Sequence, residues 1–282
     1  MKSAYKVILF SLCGLLILTS CEDVIDVDLD QGEVLLAVDG VITDQPLPQR
    51  VRLTTTAPYF ENESAPVVTN ATVVLTDSEG NTETLTNMGD GNYEIRTIQG
   101  IVGNSYFLTI NYEGETYEAS TAIRPVPPID SVLVEDDEIA DEDEEGLYIF
   151  YYGQELPTEN DHYRIKLYRD DELLNTPEDL IYIRDEFVDG NYIQDIQLND
   201  EPFQSGENVR VEFLSITEDN YEFYVELDNQ INNGGLFANP PANVKTNIRN
   251  VNPEGRPAVG YFGGSAISSL EGVLTENGQV IK

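Results

Sequence analysis

Tyr106-Phe107-Leu108-Thr109-Ile110-Asn111-Tyr112, then Glu113-Gly114-Glu115, then Thr116-Tyr117-Glu118-Ala119-Ser120-Thr121 is the stretch that decides the fold. Two runs of β-branched and aromatic residues flank a short turn that contains a glycine. Successive side chains of a strand point to opposite faces, so Tyr106, Leu108 and Ile110 share one side. A glycine-bearing connection of three residues between two such runs predicts a β-hairpin.

The same pattern continues upstream. Glu33 to Thr43 is apolar and β-branched, and predicts a strand bent at Gly40. Arg50 to Thr56, Ala71 to Thr76, Thr82 to Thr86 and Asn92 to Arg96 follow, with turn signals at Asp77-Ser78-Glu79-Gly80-Asn81 and Gly89-Asp90-Gly91. About seven short strands with turns between them read as a β-sandwich over residues 33–124. Ala71-x-Val73-x-Leu75-x-Asp77-x-x-Gly80, Gly91-x-Tyr93 and Gly103-x-x-Tyr106-x-Leu108-x-Ile110 resemble the immunoglobulin-like and transthyretin-like sandwiches of exported bacterial proteins. That resemblance implies an architecture and no activity.

Arg124-Pro125-Val126-Pro127-Pro128-Ile129 is a stiff extended segment, and residues 125–145 are read as a proline-rich linker followed by an acidic loop. Glu135 to Glu145 carries nine acids, a density that repels and favours solvation. Residues 146–282 then restart in strands: Gly146 to Tyr152, His162 to Tyr168, Leu180 to Ile183 and Val209 to Leu214. One segment changes period. Thr217 suits an N-cap, Glu218 and Asp219 suit a first turn, and Tyr224, Leu227 and Ile231 share one helical face. A helix is expected over 218–232, ended by Gly234-Gly235. The fold class is therefore mainly β: an N-terminal sandwich, then a second β-rich α+β domain with one helix.

The chain begins with a separate signal. Lys2 and Lys6 precede the apolar run Val7 to Leu18, which ends in Leu18-Thr19-Ser20-Cys21 before Glu22 and Asp23. A charged start, a short apolar centre and small residues before a cut predict a secretory signal peptide over residues 1–20. The cysteine resembles the lipobox of bacterial lipoproteins, which implies cleavage before Cys21 and lipidation of its thiol. Residues 21–32 are then an acidic tether. Its alternating Asp26, Asp28 and Asp30 fail the calcium-loop pattern, since Gln31 and Ala37 stand where a glycine and a bidentate glutamate belong. Acids just behind the lipid cysteine resemble surface-export signals of Bacteroidota lipoproteins.

Composition narrows the possibilities. Cys13 and Cys21 are the two cysteines, so the folded body has neither a disulfide nor a thiol metal ligand. The chain carries 15 basic and 52 acidic residues, a net −37. Such a surface repels phosphates and excludes nucleic acid as a partner. The single histidine, His162, is expected to face solvent, and alone it supports neither a zinc site nor a serine triad. No cofactor or metal is expected. Pairs of carboxylates are too common among 52 acids to identify a hydrolase.

Pro127-Pro128-Ile129-Asp130-Ser131-Val132, the aromatic helix, Phe237-Ala238-Asn239-Pro240-Pro241 through Asn247-Ile248 and Val259-Gly260-Tyr261-Phe262-Gly263-Gly264 together resemble a family of Bacteroidota outer-membrane lipoproteins that bears only a domain-of-unknown-function label. The resemblance implies genes beside TonB-dependent receptors, and hence an accessory of nutrient uptake. The expectation is a non-enzymatic lipoprotein of the outer membrane, facing the cell exterior, with a TonB-dependent receptor as partner. Two alternatives stand beside it. One is a glycan- or peptide-capturing surface protein using Tyr148, Tyr152 and Tyr163 as aromatic platforms; the other is a carboxylate-dependent hydrolase.

Overall fold

A computed structural model describes residues 32–57, 64–136, 146–158, 160–185, 190–233, 244–275 and 280–281. Residues 1–31, which hold Cys21 and nearly all of the expected signal and tether, the acidic run 137–145 and the Asn239-Pro240-Pro241 loop lie outside the described residues. The chain is mainly β, with one α-helix among those described.

Its first half contributes β1 (Leu36–Thr43), β2 (Gln49–Thr55), β3 (Thr72–Asp77), β4 (Thr82–Thr84), β5 (Thr86–Gly89), β6 (Asn92–Ile95), β7 (Ser105–Tyr112) and β8 (Glu115–Ala122). The second half adds β9 (Ser131–Asp136), β10 (Leu147–Gln154), β11 (His162–Arg169), β12 (Glu172–Leu173), β13 (Ile181–Arg184), β14 (Tyr192–Gln197) and β15 (Asn208–Ile216). Helix α1 (Glu218–Ile231) follows, then β16 (Arg249–Asn250), β17 (Ala258–Ser265), β18 (Ile267–Leu274) and β19 (Val280–Ile281).

The hairpin that anchors the sequence argument is β7–β8, paired from Ser105↔Ala122 to Tyr112↔Glu115. Its turn is two residues rather than three: Glu113 and Gly114 both have positive φ, 50° and 83°. Two successive left-handed residues match the right-handed twist of the flanking strands. Tyr106, Leu108 and Ile110 point inward as their alternation predicts.

Two sandwiches result. The sheet β17-β1-β2-β6-β5 and the sheet β16-β8-β7-β3-β4 close on a core that includes Val38, Val51, Leu53, Val73, Leu75 and Tyr106. Sheet β14-β10-β9 and sheet β12-β11-β15-β18-β19, with β13 also on β11, share a second core around Tyr151, Tyr163 and Phe213. Phe213 lies between the two tyrosines, with ring centroids 4.7 and 4.8 Å away. Each large apolar side chain fully buried in this way contributes ~1.5–3 kcal/mol.

The two cores do not divide the chain at the linker. Residues after 146 read as a single second domain, yet Ile248, Ala258, Phe262 and Ala266 lie in the first core. Strand β17 pairs in parallel with β1 from Leu36↔Ala258 to Thr43↔Ser265, and only after Ala266 does the chain enter the second sandwich as β18. Parallel pairing over such a separation leaves no trace in local pattern, because neither strand carries a turn that points to the other. Gly260 makes the approach possible: its φ is +89°, and a Cβ there would sit 2.0 Å from the Val38 carbonyl oxygen. Residues Val34–Lys282 accordingly form one compact unit.

The proline-rich segment is seated rather than free. Val126 packs against both cores, and the Ile129 N–H donates to the Ser268 hydroxyl at 3.0 Å. The buried Ser215 hydroxyl donates to the Arg124 carbonyl at 2.6 Å and accepts from the Ala266 N–H at 2.9 Å. That one side chain therefore joins the linker, β15 and the β17–β18 crossover.

Candidate functional site

Helix α1 forms where the period changes, with Thr217 extended at its N-cap (φ −78°, ψ 159°) and Glu218 and Asp219 in the first turn. These acids suit the positive end of the helix dipole. The expected cap is incomplete, because the Thr217 side chain makes no capping hydrogen bond. Tyr224 and Leu227 face the sheets as predicted, whereas Ile231 is 45% exposed, so the apolar face ends a turn early.

Polar and aromatic contacts fasten the helix. The Arg164 guanidinium donates to the Tyr224 hydroxyl at 2.7 Å and lies 4.7 Å from that ring's centroid. Tyr182 donates to Asp228 at 2.8 Å. Burial, then the Asp228 carboxylate, pushes the Tyr182 phenol up to about 12, so it stays a neutral donor. Phe223 meets Tyr261 at 5.0 Å.

Beneath α1, between β1, β11 and β17, lies a cavity of ≈ 340 Å³ lined by Asp39, Arg164, Lys166, Phe223, Tyr224 and Tyr261 among others. This is the size of a small-ligand site. The Lys166 ammonium makes no hydrogen bond among the described residues, although the charges of Glu212 and Asp39 act on it. Burial holds its ammonium below the ordinary lysine range, and the neighbouring Arg164 adds to that. Two cations and one carboxylate beside three aromatic rings suit an anionic or zwitterionic guest.

A second cluster sits at the end of the second sandwich. Glu155 follows β10, Asp161 precedes β11 and Asp185 follows β13; one ligand atom from each lies within 4.8 Å of the others. All three are buried, at 1%, 1% and 5% exposure. Glu155 accepts from the Tyr163 hydroxyl at 2.8 Å and from the Gly190 N–H at 2.7 Å. Asp161 accepts from Arg124 at 2.9 Å and from the Thr158 hydroxyl. The Asp185 Oδ2 has no hydrogen-bond partner among the described residues. Nothing in sequence spacing groups these acids; strand ends alone bring them together.

The aromatic residues proposed from sequence are separated. Tyr163 is 1% exposed, inside the second core, and its ring is closed to a ligand. Burial above all, then its bond to Glu155, raises its phenol far above the ordinary range. Tyr148 is buried on β10, and half-buried Tyr152 donates to Asp195. His162 is also corrected: it is buried against Tyr221 at 4.9 Å rather than facing solvent. Tyr224 and Tyr261, which do line the cavity, stand out in the sequence only as part of a helix face and of a tail motif.

Among the described residues no helix is long and apolar enough to cross a membrane. No curated protein matches the chain. A family model described as domain of unknown function DUF4249 matches residues 22–271, most of its length, and the chain belongs to that family.

Proposed function

We propose that this protein is a non-enzymatic lipoprotein of the outer membrane, facing the exterior, that serves as an accessory of a TonB-dependent nutrient uptake system. The observation that carries this reading is the apolar run ending in Leu18-Thr19-Ser20-Cys21, followed at once by acids. Family membership from residue 22 onward is in keeping with a body that starts directly behind the lipid site. Several acyl chains on one cysteine hold far more firmly than one, since each buried methylene adds about 0.8 kcal/mol. The test is Cys21→Ser with membrane fractionation and mild-detergent pull-down. The wild type is expected in the membrane fraction with a barrel protein attached, and the variant in neither. A lipidated, membrane-bound variant, or repeated pull-downs free of any barrel, would overturn the reading.

The cavity beneath α1 favours capture of a ligand as a second reading. Arg164, Lys166, Phe223, Tyr224 and Tyr261 give it charge and aromatic faces together. Screening anionic glycans and peptides against wild type and Lys166→Met distinguishes capture from simple docking. The hydrolase alternative gains nothing from the buried acids, because none of the three lines this cavity.

A further inference from the structure

We propose that Glu155, Asp161 and Asp185 form a calcium site that clips the β10–β11 loop to the β13–β14 loop at one end of the second sandwich. Burying carboxylates away from water is costly unless donors or a cation compensate them. Among the described residues Asp161 alone has an ion-pair partner, Arg124, and Glu155 and Asp185 have none, which leaves a charge gap at the cluster. One divalent cation closes it.

Asp185 is the independent sign. The residue is 95% removed from solvent, its Oδ2 has no hydrogen-bond partner among the described residues, and it converges with the other two acids. Glu155 and Asp161 are instead held by Tyr163, Gly190, Arg124 and Thr158. Each carboxylate has about four lone-pair directions, so these donors leave capacity for a metal. They stand where outer partners stand in metal sites, fixing the ligand oxygens from behind.

The donor set selects the ion. It is all oxygen: the described cluster offers no sulfur, and the ring of His162, next to Asp161, packs against Tyr221. Hard carboxylate oxygens suit calcium or magnesium rather than zinc or copper. Calcium–oxygen distances allow ligands on opposite sides to be about 4.6–5.2 Å apart, whereas magnesium requires about 4.0–4.2 Å. The three ligand atoms lie within 4.8 Å of one another, a spread that calcium's longer bonds accommodate.

The experiment uses the purified full chain, stripped with chelator and then titrated with calcium or magnesium chloride. Melting temperature, calorimetric stoichiometry and tyrosine-sensitised terbium emission are read; the chain has no tryptophan to compete as sensitiser. Calcium at about 1 mM is expected to raise the melting temperature by about 5 °C with one site per chain, and magnesium by less than half as much. Asp185→Asn and Glu155→Gln, near-isosteric and uncharged, are each expected to weaken calcium binding by about 100-fold and to quench the terbium signal. Should one variant fail to fold, the other carries the test. No calcium shift, an equal shift with magnesium, or a shift unchanged in the variants would overturn the proposal; the last would place binding on the acidic surface.

Discussion

The first sandwich and the second both bury acids, but they treat them differently. In the first, Glu83 accepts from the N–H groups of Arg96, Thr97 and Ile98 at 2.7, 2.9 and 2.9 Å and from the Thr97 hydroxyl at 2.8 Å. Asp77 likewise accepts from Asn81 and Glu79 across its turn. In the second, three acids converge, Arg124 pairs with Asp161 alone, and the Asp185 Oδ2 has no hydrogen-bond partner among the described residues. A buried carboxylate saturated by donors is a structural cap. One left short of donors is a place for something else.

The contrast yields predictions that can be ranked. Phe213→Ala removes the ring between Tyr151 and Tyr163 and should cost about 3–5 kcal/mol in urea unfolding. Because β17 and β18 are one continuous run through both sandwiches, near-UV and far-UV signals are expected to melt together. Separate transitions would show two independent units.

Glu83→Gln should cost about 2 kcal/mol at pH 7, since charge-assisted bonds are lost. Burial acts to raise the Glu83 carboxyl, but the N–H groups of Ile98, Arg96 and Thr97 and the Thr97 hydroxyl outweigh it and hold it below the ordinary range. Its contribution is therefore present above about pH 4.5, the unfolded value, and is lost as pH falls through the lower folded value. The gap between wild type and variant should narrow in that acid window. Asp185→Asn should act in the opposite sense: in chelator it is expected to stabilise by about 1 kcal/mol, because the carboxylate it neutralises is short of donors.

Lys166 extends the contrast to a cation. Its lowered folded value means the charged form is penalised in the fold, fully below that value, and the penalty fades as pH rises toward the ordinary 10.5. Lys166→Met should gain under about 1 kcal/mol at pH 7, with the difference from wild type shrinking towards pH 10.

Local pattern was enough to locate β3, β7, β8 and β11 within a residue or two, and to place the helix at 218–232 against the observed Glu218–Ile231. These elements declare themselves because period and turn chemistry are properties of neighbours. The parallel contact of β1 with β17, the burial of His162 and Tyr163 and the meeting of Glu155, Asp161 and Asp185 were not legible. Each depends on which distant strand ends come together. Tyr163 alternates just as a surface tyrosine would; only the sheet opposite it decides which face is inside.

The late partner of β1 also sets a schedule. A chain is synthesised from its N-terminal end, so β1 emerges with one flank bare and waits for a segment more than two hundred positions behind it. Contacts that distant slow folding and leave open strand edges exposed meanwhile. A truncation that stops short of Ala258 would strand that edge permanently, and clumping rather than a smaller working fragment is the outcome to expect.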